Sequence, residues 1–251
     1  MGFFDLFKKS ADTKQGGAPA ASKSSKDIAR LTRIVGNKLS QDYDRQDAIA
    51  QLSAMANAEG ARALLRRFDF AMEPSITDRE EKDAAVEGVV AAGEAAIGPI
   101  RDYCQRAEGV IWPLKILRRI VEQDRFVDEL LELLEQFDTE YVRNPEPKMQ
   151  LIQALEEFAT EDVRLAVEPY LQDVNENVRF TAVGTTFAMN MSAAAGPLVE
   201  AMKQEESVRI RNRIASGLAD RGWKLPASSV GAARESLPQG YTLKDDVVVR
   251  T

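Results

Sequence analysis

The chain has 251 residues and a formal net charge of −7, with 44% hydrophobic and 29% charged residues, the balance of a chain that folds around its own core. It holds no histidine and a single cysteine, Cys104. That removes the usual general base near neutral pH, Cys–His nucleophile pairs and the common structural zinc sets, and it fits a reducing compartment.

In chain order, the first element is MGFFDLFKK, residues 1–9. Wound as a helix, it gathers Phe3, Phe4, Leu6 and Phe7 on one side, while Asp5, Lys8 and Lys9 tend to the other. So short a helix does not hold in water alone. It needs a surface: an anionic membrane, a partner's groove, or the protein's own first repeat. Gly2 is present, but Leu6 stands where a myristoylation signal carries Ser or Thr. Residues 10–26, SADTKQGGAPAASKSSK, have the composition of a flexible linker. Residues 1–26 carry a net +3 and the remainder −10. An acidic body argues against general nucleic-acid binding, which draws on phosphate neutralisation.

The body, residues 27–222, shows helical periodicity throughout. Ile28, Leu31, Val35 and Leu39 form one apolar stripe. Phe126, Val127, Leu130, Leu131, Leu134 and Phe137 form another, with Asp128, Glu129, Glu132 and Glu135 expected largely on the opposite face. Short breaks such as NAEG, QDVNEN and QEES separate about a dozen expected helices of 10 to 15 residues. The pattern repeats: AAIGPI at 95–100 matches AAAGPL at 193–198, and Val178 and Val208 lie 30 residues apart, each followed by arginine. Proline fits a helix's first turn, which places Pro99 and Pro197 at helix starts. Asn175 or Asn177 can cap the helix in which Val178, Ala182, Val183 and Phe187 face inward. About six helical hairpins follow, with a repeat of roughly 30 to 37 residues, a period that signals a solenoid. Residues 223–251 break the pattern. PASSVGAARESL reads as a short helix and GYTLKDDVVVR as a β-hairpin, an expected cap for the last repeat.

DVNENVRFTAV, residues 173–183, resembles the inter-helix turn and second helix of HEAT repeats, in particular the short HEAT-like repeats also found in phycobilisome lyase subunits. The resemblance implies an all-α, right-handed α-solenoid over residues 28–220. It implies a ladder in which a turn aspartate and a second-helix arginine hydrogen-bond between repeats. Asp173 and Arg179 occupy those positions and Arg209 matches the next arginine, but Lys203 stands where the next aspartate belongs and Ile111 where another arginine belongs. The resemblance also implies second helices lining a concave face. Lys115, Arg118, Arg119, Lys148, Arg211 and Arg213 fall on such helices and form the candidate groove for an acidic segment of a protein partner.

Other residues invite blander readings. Cys104 lies on an apolar register and is expected to pack rather than react. Trp112 and Trp223 are expected to be buried aromatics, and Glu156, Glu157, Glu161 and Asp162 to be surface charge. No cofactor or metal is expected. The expected function is that of a non-enzymatic scaffold in the cytoplasm, with Phe3, Phe4, Leu6, Phe7, Lys8 and Lys9 as an anchor to a membrane's inner face or to a partner. Two alternatives stay open: a tetrapyrrole lyase-like subunit, and a helical repeat that binds nucleic acid.

Overall fold

The computed structural model describes residues 24–251, and the anchor expected at residues 1–9 and most of the linker lie outside them. The described residues form thirteen α-helices and one two-stranded sheet. The helices are α1 (Ser25–Val35), α2 (Asp42–Ser53), α3 (Ala58–Leu65), α4 (Ser75–Ala91), α5 (Ile97–Cys104), α6 (Ile111–Ile120) and α7 (Gln123–Leu134). They continue with α8 (Glu146–Ala154), α9 (Glu161–Val167), α10 (Glu176–Ala188), α11 (Ala195–Gln204), α12 (Val208–Arg221) and α13 (Ala227–Ser236). Strands β1 (Tyr241–Lys244) and β2 (Val247–Arg250) close the chain.

Local chemistry sets many of the starts. Ser24, Asn57, Thr160 and Asn175 each accept a hydrogen bond from a backbone N–H of the helix that follows, which satisfies one of its orphan donors. Asn175, not Asn177, is therefore the cap of α10. Pro99 lies near the start of α5 and Pro197 near the start of α11, each preceded by a short 3-10 turn. The first apolar stripe ends earlier than its spacing suggests. Leu31 and Val35 are buried, but α1 stops at Gly36 and Leu39 is 86% exposed.

Each helix is too short to bury its apolar face alone, so packing fixes the arrangement. Consecutive helices pair as α1–α2, α3–α4, α5–α6, α7–α8 and α11–α12, while α10 lies on the 3-10 turn that extends α9. Even-numbered helices also meet one another: α2 touches α4, α4 touches α6, α8 touches α10 and α10 touches α12. Odd-numbered helices do the same, α1 with α3, α3 with α5, α7 with α9 and α11 with α13. The core runs through Leu52, Leu64, Ile100, Leu117, Leu130, Ile152, Val183 and Ile214, all fully buried. Each such aliphatic side chain contributes about 1.5–3 kcal/mol relative to exposure.

At the C-terminal end, α13 packs on α11 and β2 on α12. The β1–β2 turn is Asp245–Asp246, both with positive φ, the geometry that matches the twist of a two-residue hairpin. Val248 is fully buried and Trp223 stacks at a tilt on Phe187 with ring centroids 5.9 Å apart. Among the described residues no helix is long and apolar enough to cross a membrane.

Candidate functional site

A recurring side-chain motif appears where the chain turns into an even-numbered helix. In α10, Arg179 donates from Nη1 to the Asp173 carbonyl of the preceding turn at 2.9 Å. It reaches forward with Nε and Nη2 to both oxygens of Glu205, at 2.8 and 2.9 Å. In α8, Lys148 donates back to the carbonyls of Asp138 and Glu140 and forward to Asp173 Oδ2 at 2.6 Å. In α2, Arg45 donates back to the Ser40 carbonyl and forward to Glu81 at 2.8 and 3.1 Å. Asp173 and Glu205 each also accept the backbone N–H two residues on. Each cation thus ties its own turn to the next helical pair.

This geometry rearranges the residues expected in the ladder. Asp173 does not use its carboxylate on Arg179; its Oδ2 takes Lys148. Arg179 takes Glu205, two residues beyond Lys203, the position where the resemblance calls for aspartate. Arg209 pairs with Glu176 at 3.1 Å and stays half-exposed, so it lies outside the buried run. Lys148 is corrected from a groove residue to a buried one: its side chain is 0% exposed, as is that of Asp173. The reason is geometric, since a lysine at the start of an even helix lies over the turn carbonyls, which draw its ammonium inward. Glu129 is also corrected from solvent face to interior, where it accepts a 2.6 Å bond from Arg101.

A buried polar cluster joins α2, α4 and the segment that follows α3, and no local sequence pattern announces it. Glu81 accepts from Arg45 and from Arg67 Nε at 2.7 Å, and all three side chains are 0% exposed. Arg67 also bonds Asp78 at 2.8 Å, Asp78 bonds Lys82 at 2.7 Å, and the Met72 N–H donates to Asp78. Burial alone would raise the Asp78 pKa, but the hydrogen bonds from Lys82 and Arg67 outweigh it and hold the carboxyl below its usual range. Burial likewise opposes the charge on Arg45, and its bonds to Glu81 and Asp42 more than compensate.

Of the other expected groove residues, Lys115, Arg118 and Arg119 are exposed on α6 and Arg213 is half-buried on α12, whereas Arg211, also half-buried, lines neither recess. A recess of about 260 Å³ lies between α6 and α8, with Ile111, Leu114, Lys115 and Arg118 on one wall and Gln150 and Gln153 on the other. A second recess, about 510 Å³, lies between α8, α10 and α12, lined by Phe180, Gly184, Thr185, Arg213 and Arg221. The two share Gln153 and Glu156, so together they run across four successive even helices. Much of the positive charge here is already engaged. Arg118 pairs with Glu157 at 2.7 Å, and Arg119 grips both oxygens of Glu87 at 2.6 and 2.8 Å. The Arg118 hydrogen bond holds Glu157 below its usual range. Arg211 donates to the Ser236 carbonyl at 2.8 Å, which ties α12 to α13. Lys115 sits over the Trp112 ring at 4.8 Å, and Arg213 over the Phe180 ring at 3.9 Å.

The remaining expectations find these places. Trp112 stacks on Phe68 at 5.5 Å and Trp223 is buried against Phe187, so both rings serve packing. Cys104 is buried, and the loss of solvent pushes its thiol up to about 12. Glu157, Glu161 and Asp162 are exposed, while Glu156 is half-buried where the two recesses meet. No protein-family model matches the chain, and a search of curated proteins finds no match.

Proposed function

We propose that the protein is a non-enzymatic scaffold, an α-solenoid of HEAT-like hairpins that binds a protein partner along the even-numbered helices. The observation that carries this reading is the pair of recesses that meet at Gln153 and Glu156 and cross α6, α8, α10 and α12. An elongated, mixed polar and apolar depression across several helices suits a peptide segment better than a compact substrate. Two further features support a repeat architecture: many helices touch their next-but-one neighbours, and the cation motif recurs at Arg45, Lys148 and Arg179. The tetrapyrrole and nucleic-acid alternatives gain nothing from the site, because both tryptophans pack inward and Arg118 and Arg119 are neutralised by glutamates.

The test is a comparison of captured partners by wild type, a groove variant carrying Lys115→Glu with Ala188→Glu, and a control carrying Leu165→Glu on α9. All three changed side chains are exposed, so folding is unperturbed. The groove variant loses partners that wild type and the control retain; identical sets from all three refute groove binding. As part of the same proposal, residues 1–9 tether the scaffold to an anionic membrane or to a partner. Deletion of residues 1–9 then abolishes weak, salt-sensitive sedimentation with anionic vesicles. Equal recovery of full-length and truncated protein in the supernatant refutes the membrane tether.

A further inference from the structure

Gly184 sits in the interior of α10, where glycine costs roughly 0.5–1 kcal/mol relative to alanine. The space that its missing side chain leaves is taken by a guanidinium. A Cβ built at Gly184 would fall within the contact radius of Arg213 Nη2 and close to its Cζ. Arg213 comes from α12, lies across Gly184 and stacks on Phe180 at 3.9 Å. Arg209 covers the same ring at 4.2 Å. Among the described residues no carboxylate lies within ion-pair distance of Arg213. Arg118, Arg119 and Arg209 do have such partners, in Glu157, Glu87 and Glu176, while Arg211 donates to the Ser236 carbonyl and Arg221 to those of Gly217 and Phe187.

An arginine held against a ring, beside a second arginine and without an acid, is poised for an external anion. Its five N–H donors lie in one plane, and stacking leaves those not packed on Gly184 free to donate. The electrostatics agree, since burial and then the charge of Arg209 lower the Arg213 pKa from its usual value. An arriving anion offsets both effects, because its charge and hydrogen bonds favour the charged guanidinium.

The rest of the recess decides which anion. Thr185 lines the recess from α10, while the Thr181 hydroxyl already donates to the Asn177 carbonyl at 2.9 Å. Glu156 lines the same recess and is bonded to neither Arg213 nor Arg221. A dianionic phosphate would bring two charges toward that glutamate. A carboxylate side chain brings one, and the backbone N–H groups beside it can donate to Glu156. Phe180 and Phe187 supply an apolar wall for the stem of such a side chain.

We infer that the Gly184–Phe180–Arg213 recess is an anchor for a single Asp or Glu of an extended peptide segment in the partner. The inference rests on the groove reading above and makes it specific. It is tested by selecting displayed, unstructured peptides on the full-length chain, then remeasuring the selected peptides on Arg213→Gln and Gly184→Leu. The first removes the charge without breaking an internal ion pair. The second fills the seat of the guanidinium, and thermal melting reports whether either variant is misfolded. The expected result is a shared acidic position in the peptides, with affinity reduced about ten- to a hundredfold by Arg213→Gln, the loss of one charged hydrogen-bonded contact. Replacing the peptide's acid by its amide weakens wild type by the same factor and leaves Arg213→Gln unchanged. Peptides that bind Arg213→Gln as tightly as wild type, but lose affinity on Lys115→Glu, overturn the anchor and leave the groove reading standing. Displacement of the peptides by inorganic phosphate at equal concentration overturns the choice of a carboxylate. A selection with no peptide sensitive to any groove substitution refutes the groove reading and the anchor together.

Discussion

Glu81→Ala is expected to be strongly destabilising. Glu81 lies on α4 and receives three charged hydrogen bonds, two from Arg45 at 2.8 and 3.1 Å and one from Arg67 at 2.7 Å. All three side chains are fully buried. Without the carboxylate, two guanidinium groups face one another with no charge between them. Arg45 keeps Asp42 and the Ser40 carbonyl, and Arg67 keeps Asp78 and the Phe70 carbonyl, so neither is wholly orphaned. Removal of one partner from a buried ion pair costs about 3–5 kcal/mol. In a chain of this length each kcal/mol moves the melting midpoint by about 2–4 °C, which gives a drop of about 6–20 °C. Glu81→Gln keeps the volume but turns an N–H2 toward an arginine, so its loss is comparable. The assay is thermal melting and urea titration followed by circular dichroism, with the urea slope as a check that the unfolding reaction is unchanged. Glu87→Ala, which breaks the exposed pair with Arg119, is the control and melts with wild type. A loss below about 1 kcal/mol for Glu81→Ala would mean that the buried cluster is not what joins α2, α4 and the 66–78 segment.

Lys148→Met strands the buried Asp173 carboxylate and lowers stability by about 3–5 kcal/mol, while Lys148→Met with Asp173→Leu recovers most of it; urea titration measures both, and equal losses in the single and double variants contradict the pairing. The Asp78 and Glu205 carboxyls sit below their ordinary values of 3.8 and 4.5, so the unfolded chain binds their protons more tightly. Their contribution is complete above those ordinary values and disappears as pH falls through the lower folded ones. With no histidine, melting midpoints stay level between about pH 6 and 8 and fall on acidification below about 4.5; a midpoint that rises on that acidification contradicts the assignment. Cys104 does not react with a thiol reagent in the native protein at neutral pH and reacts fully in denaturant, because burial disfavours its thiolate. Native labelling at the rate of a free cysteine would place the thiol at the surface.

Periodicity carried the helices because it is local. The spacing of Leu31 and Val35, or of Val178, Ala182 and Val183, depends only on neighbours a few residues away, and these side chains are buried. The C-terminal helix and hairpin were legible for the same reason: PASSV and KDD are turn chemistry at their own positions. Side-chain pairing is a different kind of fact. Arg45 finds Glu81 across 36 residues, Arg118 finds Glu157 across 39, and Lys148 finds Asp173 across 25. Nothing in a single stretch reports which of many glutamates an arginine will meet. Composition therefore pointed to a broadly basic groove, and packing reduced it to a few free cations. One signal of that outcome was present in the sequence. Gly184 interrupts TAVGTTFAM inside a strong helical pattern, where nothing local asks for glycine. A helix-interior glycine away from both ends marks a close approach by something else, and here that is the guanidinium of Arg213. At Gly184 the violated local preference thus points to the site: the glycine locates the seat, and the arginine seated there has no internal acid, so its charge remains for a partner.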